Sequence, residues 1–147
     1  MLVTPPLAAK LRPAVLDRAA GYRTLDALQD PATQSALTDV EALAPGFADW
    51  IVTALFGGTY QRTPELAARD RQLLNLAALT ALGGTEPQLA GHVRTSLRIG
   101  MTGAEVVECF VHLAPYLGVP RALAGLRVAA GVLAEHPENT PDTGRTP

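Results

Sequence analysis

Cysteine is nearly absent. Cys109 is the single one in 147 residues, which excludes an internal disulfide, a CxxC redox pair and a zinc site built from several thiolates of one chain. A lone cysteine on a helix reads first as a small core residue, since a reactive thiol needs a cationic neighbour. Aromatic residues make up 5% of the chain against 48% apolar residues in all. The apolar surface is therefore mostly Ala, Leu and Val, which favours packed helices over a β-sandwich. An excess of one charge is also missing. Twelve Lys and Arg stand against 14 Asp and Glu, with no basic block and no acidic tail, which argues against a nucleic-acid or membrane-surface partner. No run of 18 apolar residues occurs, so no spanning helix is expected. The first residues, MLVTPPLAAKLRP, carry two prolines where a signal peptide needs its apolar stretch, and a cytoplasmic location is expected. The templates GxSxG, HExxH, Walker loop and GxGxxG are all missing. His92, His112 and His136 do not make a metal-ligand spacing, and the sequence supports no metal and no cofactor.

What is present is helix punctuation. TPEL (63–66) offers Thr63 as an N-cap and Pro64 at the first helical position. TEPQ (85–88) and TGAE (102–105) read as capping boxes. Gly83, Gly84, Gly100 and Gly118 suit helix exits. The pattern predicts helices near 65–82, 86–99, 103–117 and 120–135, another opening at Pro45 over 45–58, and weaker ones near 13–29 and 32–43. No segment alternates with period two, so an all-α fold is expected. One domain is expected over 1–136, with its core in 45–135 and a Pro-rich, disordered tail at 137–147. LLNLAALTAL (73–82) is apolar nearly all round, as in a helix central to a core or buried at a subunit contact. A homo-oligomer is expected.

Some polar residues fall in unexpected places. On a helical wheel of 86–99, His92 lies inside the apolar arc between Ser96 and Ile99, with Arg94 and Arg98 opposite. It is either a buried histidine satisfied by a neighbour or a chemical group. On 103–117, Val106, Val107, Phe110, Val111, Leu113, Ala114 and Leu117 fill one arc. Glu105, Glu108, Cys109, His112 and Tyr116 share the other, as a solvated face or the lining of a pocket or interface. Glu108 and His112 are four apart and can pair. Pro115 should bend that helix. Arg71, four residues before Asn75, is a structural ion-pair anchor or a carboxylate clamp.

Residues 66–133 resemble the carboxymuconolactone decarboxylase family. The likeness rests on the Arg-led apolar helix (Arg71, Leu73, Leu74, Leu76, Ala77), on QLAGH and GMTGAEVVE, and on YLGVPRA. Upstream, FADWIVTALFGGTYQR is similar to the decarboxylases' segment, and LRPAVLDRA (11–19) is a weaker match. The resemblance implies an alkylhydroperoxidase-like helical bundle, oligomeric as a trimer or hexamer. In the peroxidase branch the histidine closes a CxxCxxxH motif. Here Thr85 and Gln88 stand at those cysteine positions, and without two thiols there is no dithiol–disulfide cycle.

The decarboxylase branch implies a cofactor-free loss of CO2 from a small carboxylated lactone. There, 4-carboxymuconolactone gives the 3-oxoadipate enol-lactone in aromatic-compound catabolism (the β-ketoadipate pathway). On that resemblance Arg71 is the carboxylate clamp and His92 the acid or oxyanion partner. Trp50, Tyr60 and Tyr116 wall the pocket, with His112 and Glu108 also binding substrate. Two residues depart from the pattern. Gly58 stands where decarboxylases often carry an acid, and Gln72 where many relatives outside that branch carry Glu. The alternatives are a non-redox enzyme for another small acid or lactone, and a non-catalytic oligomeric binding protein.

Overall fold

The structure, a computed structural model, describes residues 15–139. All regular structure among them is helical, and no helix among them is long and apolar enough to cross a membrane. They form two compact units. One comprises 15–27 with 34–67, the other 28–33 with 68–139. The opening MLVTPPLAAKLRP and the expected helix start at 13 lie outside the described residues, as does 140–147 of the expected tail. Pro137–Asn139, the first tail residues, form a 3₁₀ turn.

In the first unit, α1 (Arg18–Leu28, its last residue belonging to the second unit) opens where the Asp17 carboxylate accepts the Ala20 N–H at 2.9 Å. After α2 (Pro31–Leu43), α3 (Phe47–Ile51) runs straight into a π-helical turn, Val52–Phe56. The helix expected over 45–58 thus begins two residues late and ends widened, with Gly57 N–H donating five residues back to Val52 O at 2.9 Å. The start of α1 lies backbone-to-backbone on this turn. Asp17 N–H donates to Gly57 O at 3.0 Å, and a Cβ on Gly21 would sit 2.6 Å from Val52 O. Only glycine permits that approach.

A helix start at Thr63 and Pro64 is not observed. The Arg62 carbonyl accepts Glu65 and Leu66 N–H at 3.2 and 3.1 Å. This closes a separate turn, and α4 begins only at Ala68.

The second unit packs α4 (Ala68–Leu82), α5 (Glu86–Arg98), α6 (Gly103–Leu117) and α7 (Val119–Glu135), close to the expected bounds. Gly83, Gly84, Gly100 and Gly118 all adopt positive φ at the exits, where a side chain is strained. The TGAE capping box forms: Glu105 N–H donates to Thr102 Oγ1 at 3.1 Å, and Thr102 N–H to Glu105 Oε2 at 2.8 Å. The TEPQ box does not. Thr85 Oγ1 turns back to donate to Leu79 O at 3.1 Å, closing the end of α4 instead of capping α5. Helix α6 continues through Pro115 to Leu117.

Leu76, Val93, Val106, Phe110 and Ala129 are fully buried and hold the four helices together. Helix α4 is central but not covered all round. Gln72, Leu76 and Thr80 are buried, whereas Leu74, Ala78 and Leu82 are exposed. Arg94, expected on the outer face of α5, is half-buried instead and pairs with Asp30. The corner between α1 and α2 lies over this face, and Thr95 Oγ1 beside it donates to Gln29 Oε1 at 3.3 Å.

Candidate active site

The successive stripes of α4 determine which polar groups meet. At 100° per residue, Gln72 and Leu76 point to the core, Asn75 and Arg71 lie on one flank, and Arg69, Leu73 and Ala77 on the other. Each flank carries a different polar cluster.

On the Asn75 flank stands His92 of α5. Its Nδ1 is 2.8 Å from Gln72 Oε1 and 3.4 Å from Asn75 Nδ2. Gln72 is fully buried, and His92 is half-buried. Ser96, one turn on, donates its hydroxyl to the His92 carbonyl at 2.8 Å. Burial lowers the imidazole pKa below its ordinary value, because removal from water disfavours the cation. The ring is therefore neutral near pH 7. Both ring contacts are made through Nδ1; among the described residues Nε2 has no hydrogen-bond partner. Arg71 is half-buried one turn before Asn75 on the same flank, so the helix brings the expected carboxylate clamp to the histidine's side.

On the other flank a cavity of about 680 Å³ opens between α4 and α6. Leu73, Ala77 and Leu113 give it apolar walls, and Arg69, Glu105, Glu108, Cys109 and His112 its polar edge. Two of the expected binding residues, Glu108 and His112, meet here; His92 and Arg71 are not among the lining residues. The Arg69 guanidinium is bound to Glu105 at 2.7 Å. The Glu105 carboxyl is held below the usual range, first by the Thr102 N–H and then by Arg69. With Glu108 beside them, this edge is acidic on balance. Burial pushes the Cys109 thiol up, with Arg69 working the other way, and its Sγ donates to Glu105 O at 3.2 Å. Cys109 is a protonated thiol at neutral pH, not a nucleophile.

Of the three expected wall aromatics, Tyr116 belongs to the second unit and Tyr60 and Trp50 to the first. Tyr116 is exposed, its ring 5.4 Å from that of His112. In the first unit, Tyr60 is buried against Phe56 at 5.3 Å, while Trp50 is exposed and stacked on Phe47. Gly58, the position lacking the acid, is closely packed: a Cβ there would sit 2.6 Å from Ala54 O. No group of three or more His, Cys, Asp or Glu side chains that could hold a metal occurs among the described residues.

The inward position of His92 is legible in the helical period, but its neighbours are not. Gln72 stood out only as a departure, and Asn75 only as a neighbour of Arg71. Their link to His92 spans 20 and 17 residues, and no local pattern encodes it.

The described residues thus combine an all-helical fold with a histidine held beside two amides and one thiol that burial keeps protonated. The model of the carboxymuconolactone decarboxylase family matches residues 45–131, and the chain belongs to that family. It is similar to the 4-carboxymuconolactone decarboxylase of Acinetobacter baylyi, with 32% identity over 89 residues, which is 60% of this chain and 65% of that protein.

Proposed function

We propose that the protein is a cofactor-free decarboxylase of a small carboxylated lactone, with His92 handling the proton. Membership of the family and the name of the Acinetobacter relative support this reading. The observation that carries it is the 2.8 Å contact of His92 Nδ1 with Gln72, which braces the ring while Nε2 stays available. In such a lactone the carboxylate is vinylogous to the ring carbonyl. Cleaving the C–C bond releases CO2 and leaves its electron pair as a dienolate, so the ring itself is the electron sink. Carbon then takes a proton from the His92 imidazolium, and solvent restores it. One proton is consumed per turnover. An arriving carboxylate favours the imidazolium that burial disfavours at rest, and Arg71 on the same flank of α4 is suited to hold that carboxylate.

The test is an assay of CO2 release and ultraviolet loss with 4-carboxymuconolactone. Wild type should turn over, and His92→Ala should lose about 10²–10⁴-fold in kcat with unchanged circular dichroism. A wild type without turnover, or an unimpaired His92→Ala, rejects the reading.

A second reading is favoured by the neutral resting state of His92. A neutral imidazole is a base before it is an acid, which suits proton abstraction from another small acid or lactone. Exchange of substrate C–H for deuterium without CO2 release identifies that case.

A further inference from the structure

Gln72 is fully buried, and a buried amide must be matched to partners of the right polarity. Its Oε1 lies 2.8 Å from His92 Nδ1. A carbonyl oxygen only accepts, so the ring nitrogen facing it must carry the hydrogen. Asn75 Nδ2, at 3.4 Å from the same nitrogen, is too distant to impose the opposite arrangement, and a ring N–H cannot accept from it. The hydroxyl of Ser96 is directed to the His92 backbone carbonyl and does not compete for the ring.

We propose that Gln72 is a positioning residue that locks His92 as the Nδ1–H tautomer, so that Nε2 is left with its lone pair for the substrate. Which ring nitrogen is protonated follows from the bond the other one makes. A neutral amide performs this task without placing a carboxylate against the ring. Gln72 therefore sets the direction of the tautomer without making a permanent ion pair. The residue that looks like a loss relative to Glu-bearing relatives is the element that orients the histidine. This deepens the proposed function and rests on it only for the catalytic consequence; the tautomer itself is independent of any substrate.

The experiment is two-bond ¹H–¹⁵N correlation of the histidine rings in the full chain, above the pH at which His92 titrates. His92→Ala assigns the ring, and exposed His112 serves as the solvent reference. Wild type should show a pyrrole-like Nδ1 and a pyridine-like Nε2 for His92. Gln72→Met, similar in length but without an acceptor, should lose that pattern, and Gln72→Glu, which keeps an acceptor, should retain the Nδ1 proton. With carboxymuconolactone, kcat should fall about 10–100-fold in Gln72→Met and recover in part in Gln72→Glu. A wild-type ring protonated at Nε2, or an unchanged tautomer in Gln72→Met, overturns the proposal. If Gln72→Met does not fold, the wild-type and Gln72→Glu spectra still decide. A locked tautomer without turnover sinks the decarboxylase reading alone; turnover with an Nε2–H ring sinks this proposal alone.

Discussion

Burial of His92 leaves a signature in stability as well as in chemistry. In the unfolded chain its imidazole takes up a proton as pH falls through about 6.5. In the folded chain that pKa is lowered by burial, so uptake comes later. Between the two values the unfolded state holds more protons, and stability must fall as the pH falls. Above the unfolded value the ring is neutral in both states and contributes no slope. Urea unfolding from about pH 7 to about pH 5 should therefore show a steeper loss in wild type than in His92→Asn. Equal slopes would contradict a neutral buried ring. The inward position of His92 was legible from helical periodicity, because burial on a helix is a local property. Its pairing with Gln72 was not, since a wheel does not specify which residue of another helix it meets.

Element boundaries were legible wherever backbone chemistry is local. Thr102 with Glu105, and the glycines at 83, 84, 100 and 118, mark ends that the structure repeats. Reading failed where a side chain or carbonyl had a competing partner. Thr85 closes the helix before it, and the Arg62 carbonyl draws in Glu65 and Leu66. Helix α7 offers a matched test of packing against propensity. A Cβ at Gly125 would lie 2.7 Å from Phe110 Cε1, whereas one at Gly131 meets nothing within 4 Å. Alanine gains about 1 kcal/mol of helix propensity at either site. Overpacking costs about 1–3 kcal/mol, and the fully buried Phe110 ring has little room to yield. Gly125→Ala should lower Tm and Gly131→Ala should raise it, each by a few degrees for a change of about 1 kcal/mol. A rise in both would mean that the α6–α7 contact is looser than described.

At the scale of the whole molecule, the all-α class followed from composition and period, but the covering of α4 did not. Its outer stripe leaves Leu74 59% and Leu82 67% exposed, and Val119 and Leu123 of α7 are exposed as well. A single exposed leucine is ordinary, but a stripe at helical spacing suits a subunit contact. Light scattering at micromolar concentration should give a mass above one chain, and Leu74→Glu with Leu82→Glu should reduce it; a stable wild-type monomer rejects this. The two compact units have a separate consequence. Their boundary is crossed at 27–28, 33–34 and 67–68, so no single cut parts them. Truncation to the family-matched helices from residue 68 onward would amputate Leu28, Gln29 and Asp30, and with them the partners of Thr95 and Arg94. The segment 28–33 is thus part of the same compact unit as α4–α7, although it lies between α1 and α2 in the chain. Shortening this chain for expression or fusion has to spare six residues that look, on paper, like the bend between two weak helices.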